Sequence, residues 1–202
     1  MKSLLYILLL FSLGLHSQIL TRDFTTGEGV DYKGHNYRSV KIAQADEYYN
    51  VSWKSWLLDD IVVNDLQFLL DKKTQESQSG CGHHSGAVVD SGRYTYRGAM
   101  LVCPSGWRLP RLGEWDTLLK KITLDQRAFM FSGQKGFKGY HNDTVNSQIV
   151  IGTQILSGGF WWTTEAKGER AYVVKIHPNL FYETGVADIW DNAAVRCVRD
   201  EE

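Results

Sequence analysis

The 202-residue sequence contains only three cysteines and three prolines, and neither sign of charge is in excess. Lysine and arginine together number 22, aspartate and glutamate 23, so the formal net charge is -1. This balance argues against nucleic-acid binding, which needs a basic surface to neutralise phosphates. A chain of this length buries a sizeable core, so its fold need not depend on many disulfides.

The sequence also lacks long apolar runs, with the exception of residues 4–15. That run follows Lys2 and ends just before Ser17, which is the layout of a secretory signal peptide. We therefore expect residues 1–17 to be a signal peptide and 18–202 to be secreted or held in the cell envelope. A membrane anchor is the alternative, but 12 residues fall short of the ~30 Å of hydrocarbon. No cysteine follows the run, which argues against a lipoprotein.

What the sequence has in quantity is aromatic residues, including seven tryptophans, together with 19 glycines. This composition is typical of a turn-rich, strand-containing protein with an aromatic core, and we find no internal repeat or linker. The elements predicted from local patterns are a hairpin over 30–42 with its turn at Lys33-Gly34, helices over 96–103 and 114–122, and strands at 161–164, 171–176 and 194–198. Residues 46–70 have no clear period, and the polar stretch 71–86 predicts an exposed loop.

Several segments resemble one known family, and the block Cys-Pro-Ser-Gly-Trp-Arg-Leu-Pro at 103–110 is the most specific of them. The others are residues 31–42, 92–102, 114–115, 161–165 and 195–200. Together they resemble the Fibrobacter succinogenes major paralogous domain, which is found in exported bacterial proteins. The resemblance covers about residues 31–200.

This resemblance implies an α+β, C-type-lectin-like fold with two helices, a sheet of the terminal strands, a second small sheet and long loops. It also implies that Cys103 pairs with Cys197. Both cysteines lie in apolar, periodic contexts, although two buried thiols are the alternative. Proteins of this fold include lectins, receptor-binding proteins and enzymes, so the fold does not decide the function.

The remaining cysteine lies in the segment Cys81-Gly82-His83-His84. A thiolate and two imidazoles are ligands that zinc or copper accepts, and a cysteine beside a histidine is also a possible nucleophile. A structural zinc site, however, needs four ligands in a rigid frame, and no second Cys/His pair has the usual spacing. We expect Cys81, His83 and His84 to belong to a solvated loop, with no metal and no cofactor.

Two tripeptides, 177–179 and 190–192, are similar to the Glu-Pro-Asn and Trp-Asn-Asp motifs that bind calcium and sugars in C-type lectins. Here His177 replaces the glutamate, and calcium prefers several carboxylate ligands. We therefore expect a ligand surface without calcium. This surface would combine residues 132–160, the tryptophan at 162 and one loop at 177–193, which together supply aromatic, amide and carboxylate side chains. Its expected ligand-binding residues are Trp162, His177, Asn179, Asp188, Trp190, Asp191 and Asn192.

No Ser-His-Asp set, phosphate-binding glycine loop or paired-carboxylate motif stands out. Arg108 and Arg196 flank the two paired cysteines, and we interpret them as structural, with Glu114 or Glu165 as a partner; an anion site is the alternative. The sequence thus predicts a non-catalytic binding module for a neutral glycan or a protein. An enzyme that uses Cys81, or a purely structural envelope protein, are the alternatives.

Overall fold

The computed structural model describes residues 20–45, 51–63, 88–90, 92–131, 149–151, 154–156, 159–177 and 179–201. These residues form a mixed α+β structure in which strands predominate, as the sequence predicts. Residues 1–17 and the segment with Cys81, His83 and His84 lie outside the described residues, so the signal peptide and the solvated loop stay predictions. No helix in the described part of the chain is both long and apolar enough to cross a membrane.

Three helices and fourteen strands alternate irregularly along the described residues. The helices are α1 (Tyr96–Ala99), α2 (Leu112–Lys121) and α3 (Leu124–Phe131). The strands are β1 (Phe24–Thr26), β2 (Val30–Tyr32), β3 (His35–Tyr37), β4 (Ser39–Ala45), β5 (Val51–Leu57), β6 (Val88–Asp90), β7 (Arg93–Tyr94), β8 (Ile149–Ile151), β9 (Gln154–Leu156), β10 (Gly159–Lys167), β11 (Arg170–Ile176), β12 (Tyr182–Asp188), β13 (Ala193–Ala194) and β14 (Val198–Asp200).

The first and last parts of the described chain share one four-stranded sheet, in the order β1-β4-β5-β14. Trp56 of β5 lies opposite Val40 on one side and opposite Val198 on the other, and all three side chains are fully buried. Alternate residues of a strand face the same side of a sheet, so Val40 and Ile42 point together into the core. The predicted sheet of terminal strands is therefore present.

A second sheet has six strands in the order β12-β11-β10-β13-β7-β6. It is the largest sheet of the described residues, which also form two small sheets of two strands each, β2-β3 and β8-β9. Successive side chains of β10 point to opposite faces. Trp161 therefore packs in one core cluster with Trp56 and Trp115, while Trp162 packs in the other with Tyr94. The sheet thus lies between two apolar cores.

The helices agree only partly with the sequence pattern. Helix α1 is a single turn, which Thr95 caps by accepting a hydrogen bond from the Gly98 backbone N (3.4 Å), and it ends well before residue 103. Helix α2 buries Trp115, Leu118 and Leu119 on one stripe, as predicted. Helix α3 was not expected, so the described chain has three helices rather than two.

The predicted hairpin is confirmed for β2 and β3, whose turn residues Lys33 and Gly34 have φ values of 50° and 79°. Two consecutive left-handed residues form the tight turn that suits twisted strands. The predicted hairpin extended to residue 42, but residues from Ser39 onward form β4, which pairs with β1 and β5 and not with β2. Strand β5 lies in the segment 46–70, where the sequence shows no clear period.

Candidate ligand-binding surface

Cys103 and Cys197 form a disulfide, with their Cα atoms 5.9 Å apart. It ties the chain just after α1 to the residue before β14 and closes a loop with a sequence separation of 94. Cys197 is fully buried. The pairing implied by the family resemblance is therefore present, and neither cysteine is a free thiol.

Strand β12 divides the predicted ligand surface into two parts. The sequence predicts one loop over residues 177–193, but Tyr182–Asp188 is a regular strand of seven residues. At about 3.3 Å per residue, its ends lie ~20 Å apart. His177 and Asn179 precede this strand, whereas Trp190 and Asn192 follow it, so the two tripeptides do not form one site.

Trp162 is the clearest correction among the predicted ligand-binding residues. Its side chain extends from β10 into the core cluster that contains Tyr94, where it is fully buried. The indole Nε1 donates to the Tyr94 carbonyl oxygen (2.7 Å), and the ring meets Tyr96 edge-on at 5.6 Å between centroids. An indole whose faces and donor are already used cannot stack on a ligand at the surface, so Trp162 is a core residue.

The turn between β11 and β12 uses its polar groups to hold itself together. Asn179 Oδ1 accepts from the Phe181 backbone N (3.1 Å), and His177 Nε2 lies 3.3 Å from a carboxylate oxygen of Glu183. Leu180 has a φ of 65°, which is rare for a leucine, and its buried side chain packs on Ala128 of α3. His177 and Asn179 therefore serve this turn, and Phe181, 62% exposed, is its outermost large side chain.

The turn between β12 and β13 is closed in a similar way but presents a different surface. Asp191 Oδ2 accepts from the Asp188 backbone N (3.0 Å), while the Asp191 N donates to the Asp188 carbonyl oxygen (2.8 Å). The neighbouring Ile189 is fixed at both backbone groups, by Glu169 and by Tyr96. Asp188 and Asp191 therefore hold the turn, which leaves Trp190 as its projecting side chain.

Trp190 is 48% exposed, and the guanidinium carbon of Arg97 lies 5.4 Å from its ring centroid. A cation at this distance from an indole face is attracted by the ring electrons, which limits the movement of the ring. Nearby in sequence, Asn192 Oδ1 is buried without a hydrogen-bond partner among the described residues. We call Arg97, Trp190 and Asn192 the Trp190 surface.

Arg97, which α1 brings to this surface, is not among the residues predicted from the sequence. Arg97 and Met100 are both exposed, and residues three apart lie on the same side of a helical turn. The sequence feature that could have indicated this surface is a cationic and an apolar residue, Arg97 and Met100, shortly before Cys103. Trp190 was named from sequence, and its exposure agrees with a role at the surface.

Arg108 is held in an ion-pair network, as its structural interpretation requires. Its Nη1 and Nη2 each donate to one carboxylate oxygen of Glu114 at 2.8 Å, and Nη2 also donates to Asp200 (2.8 Å). Lys54 pairs with the same two acids. Glu114 is thus the partner, whereas Glu165 instead accepts from the Leu112 backbone N at the start of α2.

Arg196 is fully buried, and its partner Asp60 was not foreseen from the sequence. The guanidinium Nη2 donates to Asp60 Oδ1 (3.0 Å), and Nη1 donates to the Met130 carbonyl oxygen (3.0 Å). Asp60 Oδ1 also accepts from Trp161 Nε1 (2.8 Å). A buried guanidinium needs such partners, so Arg196 is structural and has no access to an external anion.

The described residues contain no group of three histidine, cysteine, aspartate or glutamate side chains placed to hold a metal ion. Comparison of the chain with models of known protein families, with curated proteins and with solved structures found no match in any of the three.

Proposed function

We propose that this chain is an exported, non-catalytic binding module with a C-type-lectin-like fold, related to the Fibrobacter succinogenes major paralogous domain. Three observations support the proposal. The N-terminal run has the layout of a signal peptide. The first and last described strands share a sheet, and the disulfide joins the two cysteines that the family resemblance pairs.

The half-exposed indole of Trp190 on a rigid turn is the observation on which the binding role depends. An indole face packs well on the C–H face of a sugar ring and keeps little conformational entropy to lose. The partly exposed Asn192, two residues further along the chain, carries an amide, and an amide both donates to and accepts from sugar hydroxyls. We infer that the ligand is a neutral glycan, with the cationic charge of Arg97 directed at the indole rather than at the ligand.

The test is a glycan array probed with the mature chain, followed by affinity measurements on the best glycan. Trp190→Ala removes the stacking surface and is expected to weaken binding by about 1–3 kcal/mol, which is roughly 5- to 150-fold in Kd. Because Trp190 is half-exposed, the melting temperature of the variant should stay close to that of the parent.

Phe181→Ala provides a matched control, because Phe181 is an exposed aromatic residue at the opposite end of β12. It should leave glycan affinity unchanged. If Trp190→Ala binds as well as the parent, or if Phe181→Ala is the variant that loses affinity, the Trp190 surface is not the binding site. Binding to a protein array but to no glycan would replace the glycan with a protein as the ligand.

A further inference from the structure

A second feature, independent of the Trp190 surface, is the open edge formed by β12. Among the described residues β12 pairs with β11 alone, and it forms one end of the six-stranded sheet. Its register with β11 is unbroken from Tyr182 to Asp188. An edge strand of this length exposes a row of unpaired backbone groups, which is a template for another strand.

The hydrogen bonds that flank β12 show which of its residues face outwards. His177 N donates to the Phe181 carbonyl oxygen (2.8 Å) before the strand, and Ile189 N donates to that of Glu169 (2.9 Å) after it. Hydrogen-bonded and non-hydrogen-bonded pairs alternate in an antiparallel ladder. The odd-numbered residues of β12 therefore bond to β11, and the even-numbered residues turn their N–H and C=O groups to the open edge.

One of the four even-numbered residues already has partners. The N–H and C=O of Asp188 are both taken by Asp191, which closes that end of the edge. In the described part of the chain, the outward backbone groups of Tyr182, Thr184 and Val186 have no such partner. The open segment is therefore centred on Thr184 and is about 13 Å long.

The devices that usually protect an edge strand are missing from this segment. The strand sequence YETGVAD contains neither lysine nor proline, and its pairing with β11 has no bulge. Its acidic side chains are neutralised within the chain, since Glu183 lies 3.1 Å from Lys175 and Asp188 lies 3.5 Å from Arg170. Val186 is 51% exposed although it is apolar.

We propose that the partner of this edge is a second copy of the same chain, added antiparallel about a two-fold axis at Thr184. In this register Thr184 faces Thr184 of the other copy, and Tyr182 faces Val186 on both sides of the axis. Each of these three pairs exchanges two N–H···O bonds, so every open backbone group finds a partner. The two sheets become one continuous sheet.

The side chains of the strand suit this self-pairing. Val186 gains an aromatic neighbour in Tyr182 of the other copy, and such cross-strand pairs stabilise a sheet. Glu183 faces Gly185, so no two like charges lie directly opposite each other. Helix α2 packs mainly over β10 and β11. It reaches β12 at Tyr182, whose hydroxyl donates to Asp116 (3.2 Å).

Sedimentation velocity of the full mature chain over a range of concentrations tests the proposal. The parent is expected to form a dimer that dissociates on dilution. Thr184→Lys places two ammonium groups opposite each other at the axis and should raise the dimer Kd at least tenfold, with recovery at high salt. Thr184→Val is the matched control and should dimerise like the parent.

Cysteine cross-linking tests the register, in a Cys81→Ser background that leaves one engineered thiol. Thr184→Cys should form a dimer disulfide under mild oxidation, because Cα atoms of a hydrogen-bonded pair are ~5.5 Å apart. Val186→Cys lies about four residues from its counterpart and should stay monomeric on non-reducing gels. A parent that is monomeric at every concentration, a dimer that Thr184→Lys does not weaken, or cross-linking at 186 rather than 184 would each overturn the proposal.

Discussion

At the scale of single residues, the carboxylate of Glu114 is surrounded by donors from three other residues. It lies in the first turn of α2 and accepts from Arg108, from Lys54 and from the Arg111 backbone N (2.7 Å). Burial by itself would raise the pKa of Glu114, but the hydrogen bonds from Arg108, Arg111 and Lys54 outweigh it and lower the pKa from 4.5 to about 2. The folded state therefore favours the ionised form.

This pKa predicts how stability depends on pH. A carboxyl group whose pKa is lower in the folded state stabilises the protein above its unfolded pKa, and the stabilisation is lost as pH falls from about 4.5 towards 2. Glu114→Gln should lower the free energy of unfolding at pH 7 by about 1–3 kcal/mol, and the loss should shrink as pH falls through this range. Urea unfolding at pH 7 and pH 3 measures both effects.

The control for this experiment is Glu169→Gln, since Glu169 is exposed in the turn between β10 and β11. Its stability curve should follow that of the parent at both values of pH. A Glu114→Gln variant whose deficit is as large at pH 3 as at pH 7 would show that the carboxylate charge is not what stabilises the network.

At the scale of elements, the N-terminus of helix α2 is stabilised by a residue of the six-stranded sheet. Leu112 N donates to both carboxylate oxygens of Glu165 in β10, at 3.0 Å and 2.9 Å. The first backbone N–H groups of a helix lack partners within the helix, and a negative charge there also complements the helix dipole. Arg111 occupies the N-cap position and cannot supply an acceptor of its own.

Glu165→Ala removes this acceptor and should lower the free energy of unfolding by about 0.5–2 kcal/mol, the usual cost of a lost helix cap. Glu165→Gln keeps one acceptor oxygen and should lose less. Thermal unfolding of both variants, with Glu169→Ala as the exposed control, measures the difference. Equal stability of Glu165→Ala and the parent would mean that water replaces the carboxylate without cost.

The elements that the sequence did not predict have weak local signals. Helix α3 has a mixed burial pattern, so its apolar stripe is indistinct. Its start does carry a capping box, because Thr123 Oγ1 accepts from Gln126 N (3.2 Å) and Gln126 Oε1 accepts from Thr123 N (3.0 Å). Strand β12 has the sequence pattern of a loop, because it is polar and contains a glycine. It also lies at a sheet edge, where no buried face imposes an alternation of apolar and polar residues.

At the scale of the whole molecule, the disulfide is a covalent link between the region after α1 and the four-stranded sheet that contains β14. In the chain-entropy account, a bridge that closes a loop of this size restricts the unfolded chain and contributes about 4–5 kcal/mol. The loop includes α2, α3 and most of the six-stranded sheet, so the effect is expected to be global.

Replacing both Cys103 and Cys197 by serine should lower the free energy of unfolding by about 2–5 kcal/mol. Chemical denaturation with and without reductant measures it: the parent should lose stability on reduction, and the double variant should not respond. Cys81→Ser is the matched control and should keep the full response to reductant. A parent that is equally stable in both conditions would contradict the stabilising role of the bridge.

From the sequence, the residues of the candidate surface and its surroundings could be predicted only where the residue type and its neighbours in the chain were sufficient to indicate a role. Trp190 and the two structural arginines follow from local sequence. Asp60 does not, because its partner Arg196 is 136 residues away and only the folded chain brings them together. The separation of His177 from Trp190 likewise depends on β12, whose existence local patterns did not indicate.

The adjacent tryptophans of β10 also determine how that strand aligns with its neighbours. Trp161 donates to Asp60 in one core, and Trp162 donates to the Tyr94 carbonyl oxygen in the other. A shift of β10 by one residue would send each indole to the opposite face, where its N–H would lose its acceptor. Two buried donors would then be unpaired at once, at about 1–3 kcal/mol each. The tandem pair thus excludes misaligned strands and selects a single arrangement of the sheet.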